Sequence, residues 1–416
     1  MSQEANSNVV HIGDDAQIGM IELEVPEVNL NENNIKLDHF LLANTQVDAK
    51  IFSSKENNDS IRTQATSFAW PDWDIVASDL QMDNNKVSLI MDSTSVIPGV
   101  FNPSNIEIAD LHFDFEEISL QNQKAQIDLN QLSFRERSGF SLNSLSFDGM
   151  INNQELVLND LTFKTNNNSL TASIGTSYSS IDQLINDPTT LTANVKISAY
   201  ELSPKDAYYF APELKRNAYL NSLSSKRLKA QADLNGGLSE LLIDQFQMSW
   251  GKHTRLDVKG KVYEPTDPNS TRLKNLQYTA QSTRADVSRW MSLDSSGVNL
   301  PEQFTFSGRS TGSIDQLTTK NQLTTTAGNI KLEGALTQKK GLLEYELITH
   351  VEQLQVGEII NNPKVGSITA TVETKGKGES LSTLDASLTS RFDSLSYSGY
   401  DFTALQISGN INNGKG

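Results

Sequence analysis

Between residues 127 and 174 one apolar spacing is repeated three times in tandem, and a fourth strand-like segment follows. The copies are Ile127, Leu129, Leu132, Phe134; then Phe140, Leu142, Leu145, Phe147; then Leu156, Leu158, Leu161, Phe163. Apolar residues fill the first, third, sixth and eighth places, and the fourth is Asn each time (Asn130, Asn143, Asn159). Period-two alternation marks a strand with one buried face. The slip between the third and sixth places would turn the second half onto the other face unless one residue is inserted. A β-bulge at the polar pair restores the face, and Asn tolerates the twist a bulge needs. A two-residue hairpin is the competing reading, but no Gly sits at the slip and the arms would be very short. Looser matches occur at Leu23/Val25/Val28/Leu30, Ile106/Ile108/Leu111/Phe113, Leu241/Ile243/Phe246/Met248 and Tyr400/Phe402/Leu405/Ile407. Composition alone can generate these; it does not generate three tandem copies with the same Asn.

The chain of 416 residues has 37% hydrophobic residues and 7% aromatic ones. That balance fits an extended β protein with much polar surface better than a compact α/β enzyme. The net charge of −17 argues against nucleic acid and against electrostatic docking on anionic lipid. The absence of cysteine excludes disulfides, thiolate metal sites and Cys nucleophiles. No apolar run approaches the length of a membrane span, and the polar, acidic opening is not a signal peptide. The end, at residues 407–416, stops on a turn just after a strand. The expectation is an internal fragment of a longer chain.

Residues 1–20 read as a disordered or frayed lead-in. Residues 21–202 read as one β-repeat segment, with the clusters ENNDS (56–60) and DNN (83–85) in turns, two or three strands over 68–91, and a Pro/Gly loop before Ile106. Residues 180–188 can form one or two helical turns, and 191–202 is a strand. A short helical insertion is expected over 203–225: Ser203 caps, Pro204 takes the first helical position and Asp206 sits at the acidic end, with Pro212 ending that helix or opening another. Residues 226–416 return to strands, with a second short helix over 285–293. So many strands, with turns about every ten residues, predict a sandwich, a barrel or a solenoid-like array.

Catalytic chemistry is hard to place. His11, His39, His112, His253 and His350 have no neighbours at metal-ligand spacing, and His39 and His112 read as surface or edge residues. There is no phosphate-cradling Gly loop and no GxSxG elbow. Glu116 and Glu117 are adjacent on a strand and so face opposite sides. The run 134–140 reads as a charged turn, and Trp70, Trp73, Trp250 and Trp290 read as scattered core or edge residues. No cofactor is expected. What remains is a set of long strands with one apolar face, to be covered by a second sheet or left as a groove wide enough for acyl chains.

The tail over 364–416 resembles a unit of the TamB/AsmA-like family. It carries Leu395, Tyr397, Gly399, Tyr400, Phe402, Leu405, Ile407, Gly409 and Gly414 in the family's L-x-Y-x-G-Y-x-F-x-x-L-x-I-x-G-x-x-x-x-G pattern. Upstream, Leu300-Pro301 followed by strand, Gly, strand and a closing Gly328-x-Ile330-x-Leu332-x-Gly334 is similar to AsmA-type sequence. The stretches FRERSGFSLNSLS (134–146) and LSPKDAYYFAP (202–212) resemble versions from Bacteroidetes-like lineages. The similarity covers most of residues 20–416. It implies a long periplasmic β-structure, anchored in the inner membrane by an N-terminal helix, with an apolar groove that carries phospholipid between membranes and serves outer-membrane assembly. The anchor and the C-terminal domain that engages the assembly machinery are not in this chain, so its partners would include the rest of its own chain.

The reading is therefore a mainly β protein, an elongated curved antiparallel sheet with a few short helices, non-enzymatic. Phospholipid acyl chains are expected along Leu156, Leu158, Leu161, Phe163, Leu170, Ala172 and Ile174. One rival is a structural or adhesion protein of closed β domains, with dry cores and no lipid. Another is a carbohydrate-processing solenoid enzyme, which needs clustered carboxylates and aromatics that the sequence does not supply.

Overall fold

Alternating segments become strands almost everywhere. The computed structural model describes residues 11–12, 16–50, 68–91, 95–290, 299–339, 342–378 and 385–412. The chain divides into two units, Met1–Ser225 and Lys226–Gly416. The fold is mainly β: open, curved sheet, largely antiparallel, with a few short helices. Residues 1–10 and 13–15 of the expected lead-in, and the cluster at 56–60, lie outside the described residues.

In the first unit the strands are β1 (His11–Ile12), β2 (Met20–Glu24), β3 (Glu27–Asn29), β4 (Asn34–Leu37), β5 (His39–Ala43), β6 (Gln46–Lys50), β7 (Asp74–Ile90), β8 (Asn105–Gln121), β9 (Lys124–Glu136), β10 (Ser141–Ile151), β11 (Glu155–Thr165), β12 (Ser169–Ser177) and β13 (Thr192–Leu202). From β7 to β13 each strand pairs antiparallel with the next. The start departs from that rule. Strands β4, β5 and β6 run parallel to β7 in one unbroken register, from Asn34 opposite Asp74 to Lys50 opposite Ile90.

Residues 74–90 therefore form one 17-residue strand, not two or three. The DNN cluster is no turn. Asn84 takes a left-handed conformation (φ 51°) inside the strand, beside Asn44 (φ 51°), whose side-chain oxygen accepts from Asn84 Nδ2 at 2.7 Å. Asn85 is buried; its Oδ1 accepts from Thr45 N at 2.8 Å and its Nδ2 donates to Leu42 O at 2.7 Å. These polar residues satisfy backbone groups at a kink, so the strand bends instead of ending.

The tandem spacing does encode bulges. Leu129 faces Phe147 and Leu132 faces Leu145, so Asn130 and Gln131 oppose one residue. Asn143 and Ser144 oppose one residue between Phe134 and Leu132. Asn159 and Asp160 oppose one residue between Ile174 and Ala172. The reason given for Asn is not the one the structure uses. At the third bulge the left-handed residue is Asp160 (φ 49°), and none of the three Asn is left-handed. Asn143 instead donates from Nδ2 to Thr165 O at 2.8 Å, satisfying a carbonyl across the strand pair. Two looser matches are bulged as well, at 109–110 and at 244–245.

Helix α1 (Ile181–Asn186) is capped by Ser180. After β13, Ser203 caps a 3-10 turn (Pro204–Asp206) that runs into α2 (Ala207–Phe210); a second 3-10 turn (Pro212–Arg216) leads to α3 (Ala218–Ser224), capped by Asn217. Asp206 does not only complement a helix end. It is buried, and it accepts hydrogen bonds from Thr165 Oγ1, Asn167 N (3.2 Å), Asn167 Nδ2 (2.5 Å) and Asn168 Nδ2 (2.6 Å). The carboxylate thus fastens the helical segment to the β11–β12 turn.

The second unit is a meander of β14 (Leu228–Gly236), β15 (Glu240–Trp250), β16 (Thr254–Tyr263), β17 (Arg272–Thr283), β18 (Gln303–Ser313), β19 (Gln316–Thr325), β20 (Gly328–Lys339), β21 (Leu342–Gln355), β22 (Val365–Lys377) and β23 (Asp385–Tyr397), which pairs with both β24 (Tyr400–Phe402) and β25 (Leu405–Ile411). Helix α4 (Arg284–Val287) follows β17, and α5 (Val356–Ile359) follows β21. The helix expected over 285–293 starts one residue earlier and is a single turn, capped by Thr283; Met291 to Leu293 lie outside the described residues. Trp250 and Trp290 are not scattered: their rings meet edge to face at 5.2 Å. Lys226 Nζ lies 4.8 Å from the Trp250 ring and pairs with buried Asp286, which also accepts from Thr254 Oγ1 at 2.8 Å.

Candidate functional site

The seven residues singled out by the spacing share one face of the first unit. Leu158 stands opposite Ile174, Leu161 opposite Ala172 and Phe163 opposite Leu170. Leu156 joins them through the alternation of β11. Ala172 is buried at 3% exposure, and the other six are half-buried. Leu129, Leu142, Tyr178 and Ile181 are the large apolar side chains buried among the described residues of this unit.

The face extends far beyond these seven. Phe163 faces Leu145, Leu145 faces Leu132, Leu132 faces Phe113, and Phe113 faces Met82. Leu158 leads by the same route through Gly149, Ile127 and Ile118 to Ala77. In the other direction Leu170 faces Tyr200, Ala172 faces Ile197 and Ile174 faces Val195. One apolar surface thus crosses seven consecutive strands, β7 to β13. The described strands of this unit all belong to the same sheet, and the residues of this face are half-buried or buried. The strand over 191–202 was expected, but its residues were not named among those lining the face, though the signal was there. Val195, Ile197, Tyr200 and Leu202 repeat the first, third, sixth and eighth places, and the bulge falls at Ser198.

One border of this face is aromatic. Phe140 lies 6.4 Å from Phe134, 6.1 Å from Tyr209 and 5.1 Å from Phe210, and Phe210 is 5.3 Å from Phe101. Helix α2, held by Asp206, supplies Tyr209 and Phe210. Phe210 remains 52% exposed, so this border is only partly covered.

The opposite face is charged. Glu117, Asp128 and Asp148 stand side by side on β8, β9 and β10. Partial burial, then the charges of Asp148, Glu116 and Glu117, push the Asp128 pKa above the ordinary carboxylate value. Among the described residues no group of three or more His, Asp or Glu side chains is placed to hold a metal ion. His39 and His112 are tied to carboxylates: His39 Nδ1 lies 2.6 Å from Asp79 Oδ2, and His112 Nδ1 lies 3.3 Å from Asp83 Oδ1. The hydrogen bond to Asp79 and the nearby Glu22 raise the His39 pKa. No described helix is long and apolar enough to cross a membrane.

Comparison with family models, curated proteins and solved structures finds no match to this chain.

Proposed function

We propose that this chain is a non-enzymatic lipid-shielding segment of the TamB/AsmA-like kind. Phospholipid acyl chains lie on the apolar face of β7–β13 and pass between the inner and outer membranes across the periplasm, in the service of outer-membrane assembly. The rest of a longer chain would supply the membrane anchor and the contact with the assembly machinery. The single observation that carries this reading is the continuous, half-buried apolar surface, held on one side by bulges through seven strands. No catalyst is needed. Each methylene kept from water is worth roughly 0.8 kcal/mol, so a continuous apolar surface lowers the cost of moving a chain out of a bilayer. The sequence resemblance supplies the cellular setting.

Native mass spectrometry with lipid extraction on the purified chain tests the reading. Bound phospholipid that is lost in Leu158→Asp is the expected result. A wild-type protein that carries no lipid, even after incubation with phospholipid vesicles, overturns it.

A further inference from the structure

The second unit has an apolar face, where Ala280, Phe306 and Leu323 stand opposite in turn, and a polar face behind it. Cations gather in this unit. Residues 226–416 hold 21 Lys and Arg against 20 Asp and Glu, whereas residues 1–225 hold 13 against 31. On the polar face, charged residues that stand directly opposite are mostly complementary, as sheet pairing favours. Lys320 faces Glu333, with Nζ 2.6 Å from Oε2. Glu346 faces Lys375 at 3.5 Å, and Lys377 faces both Glu344 and, at 3.9 Å, Asp385.

Among the described residues two pairs break that order: Lys261 faces Lys274, and Arg309 faces Lys320. Like charges directly opposite destabilise a strand pair, because their Cβ atoms are only about 5 Å apart. Lys261 is relieved by an ion pair with Glu240. Arg309 has no such relief: its neighbour on the other side is Gln277, and Lys259 stands beyond that. Arg309 is exposed, and no carboxylate among the described residues pairs with it. The Arg309–Lys320 pair lines a hollow of about 390 Å³ with Gln277, Ser307, Lys331 and Glu333. Of the cations there, Lys331 pairs with Glu352 at 2.7 Å and Lys320 with Glu333, which leaves the guanidinium unmatched. A guanidinium beside an ammonium, in a hollow that also holds an amide and a hydroxyl, suits an oxyanion that accepts from both cations.

We propose that Arg309 and Lys320 bind a phosphate group, whose oxygens accept from the guanidinium and the ammonium at once. A phosphate presents enough oxygens to serve both cations and a side chain such as Gln277 or Ser307; a carboxylate presents only two. The bound anion turns the one unrelieved like-charge pair of this face into an attractive bridge. The site lies on the polar face and does not depend on the lipid-shielding reading.

The test is calorimetric titration of the full chain with inorganic phosphate at constant ionic strength, beside flotation with phosphatidylcholine vesicles that contain or lack phosphatidic acid. The wild type is expected to bind phosphate and not acetate, and Arg309→Gln to bind phosphate about tenfold more weakly. Lys375→Gln removes a cation already matched by Glu346 and should bind like the wild type. Lys320→Gln replaces the Arg309 variant if that one unfolds. Capture by the phosphatidic acid vesicles alone, lost in Arg309→Gln, makes the phosphate lipid-borne and equally supports the site. A wild type that responds to neither form of phosphate overturns the proposal. So does binding that acetate matches, that survives in Arg309→Gln and Lys320→Gln, or that falls equally in Lys375→Gln.

Discussion

Single residues set the charge balance of this protein, and three carboxylates behave differently for physical reasons. Asp128 stands between Asp148 and Glu117, and its pKa is raised. The folded state therefore holds the proton more tightly than the unfolded chain. The stability this gives is fully present below the unfolded carboxylate pKa and is lost as pH rises through the folded value. Asp128→Asn should stabilise the protein at neutral pH by roughly 0.5 kcal/mol, and the gain should vanish in acid; urea melts at the two pH values decide it. Asp286 goes the other way. Burial alone would raise its pKa, but hydrogen bonds from Lys226 and Thr254 and the Lys226 charge lower it overall. Its contribution is present above the unfolded carboxylate pKa and lost as pH falls through the folded one. Asp286→Asn should cost about 2 kcal/mol at neutral pH and progressively less below about pH 4, read from thermal melts. Asp160 is a backbone case. At φ 49° a β-branched side chain is crowded, so Asp160→Val should cost about 1–2 kcal/mol while Asp160→Gly stays near neutral.

Strands in this chain are defined by where their bulges fall. Deleting Asn130 would leave Ile127 and Leu129 in place and turn Leu132 and Phe134 to the charged face. The loss should be on the order of 4 kcal/mol, seen as a lower urea midpoint, whereas Asn130→Ser should be nearly silent. The bulges at 130–131, 143–144 and 159–160 were legible because the slip recurs at fixed spacing. The helical segment after β13 was legible from Ser203, Pro204 and Asp206. Long β7 was not. Its polar DNN cluster has turn chemistry, and only a paired neighbour decides whether such residues end a strand or kink it. Asn85 is the clearest instance: its amide serves Thr45 and Leu42, forty residues away in sequence, which no local pattern announces.

At the scale of the molecule the consequence is apolar sheet faces that stay half-buried. Each unit has an apolar sheet face whose residues are mostly half-buried, and few large apolar side chains among the described residues, such as Trp250 and Leu129, are buried in the core. The native protein should therefore enhance the fluorescence of an apolar dye, and phospholipid should displace that dye before any unfolding occurs. A native state that leaves the dye dark would mean that the faces are covered in solution.

The sequence by itself determined which side of each strand is oily, because period-two alternation and the one-residue slip depend only on local backbone geometry. Leu156, Leu158, Leu161, Phe163, Leu170, Ala172 and Ile174 fall on one face for that reason. Only the tertiary structure decided that β4, β5 and β6 lie parallel to β7, that Asp206 and Asp286 are buried anchors, and that β7 to β13 join in one sheet. Those outcomes depend on hydrogen bonds and contacts between residues far apart in the chain, whose partners are set by the path of the whole backbone.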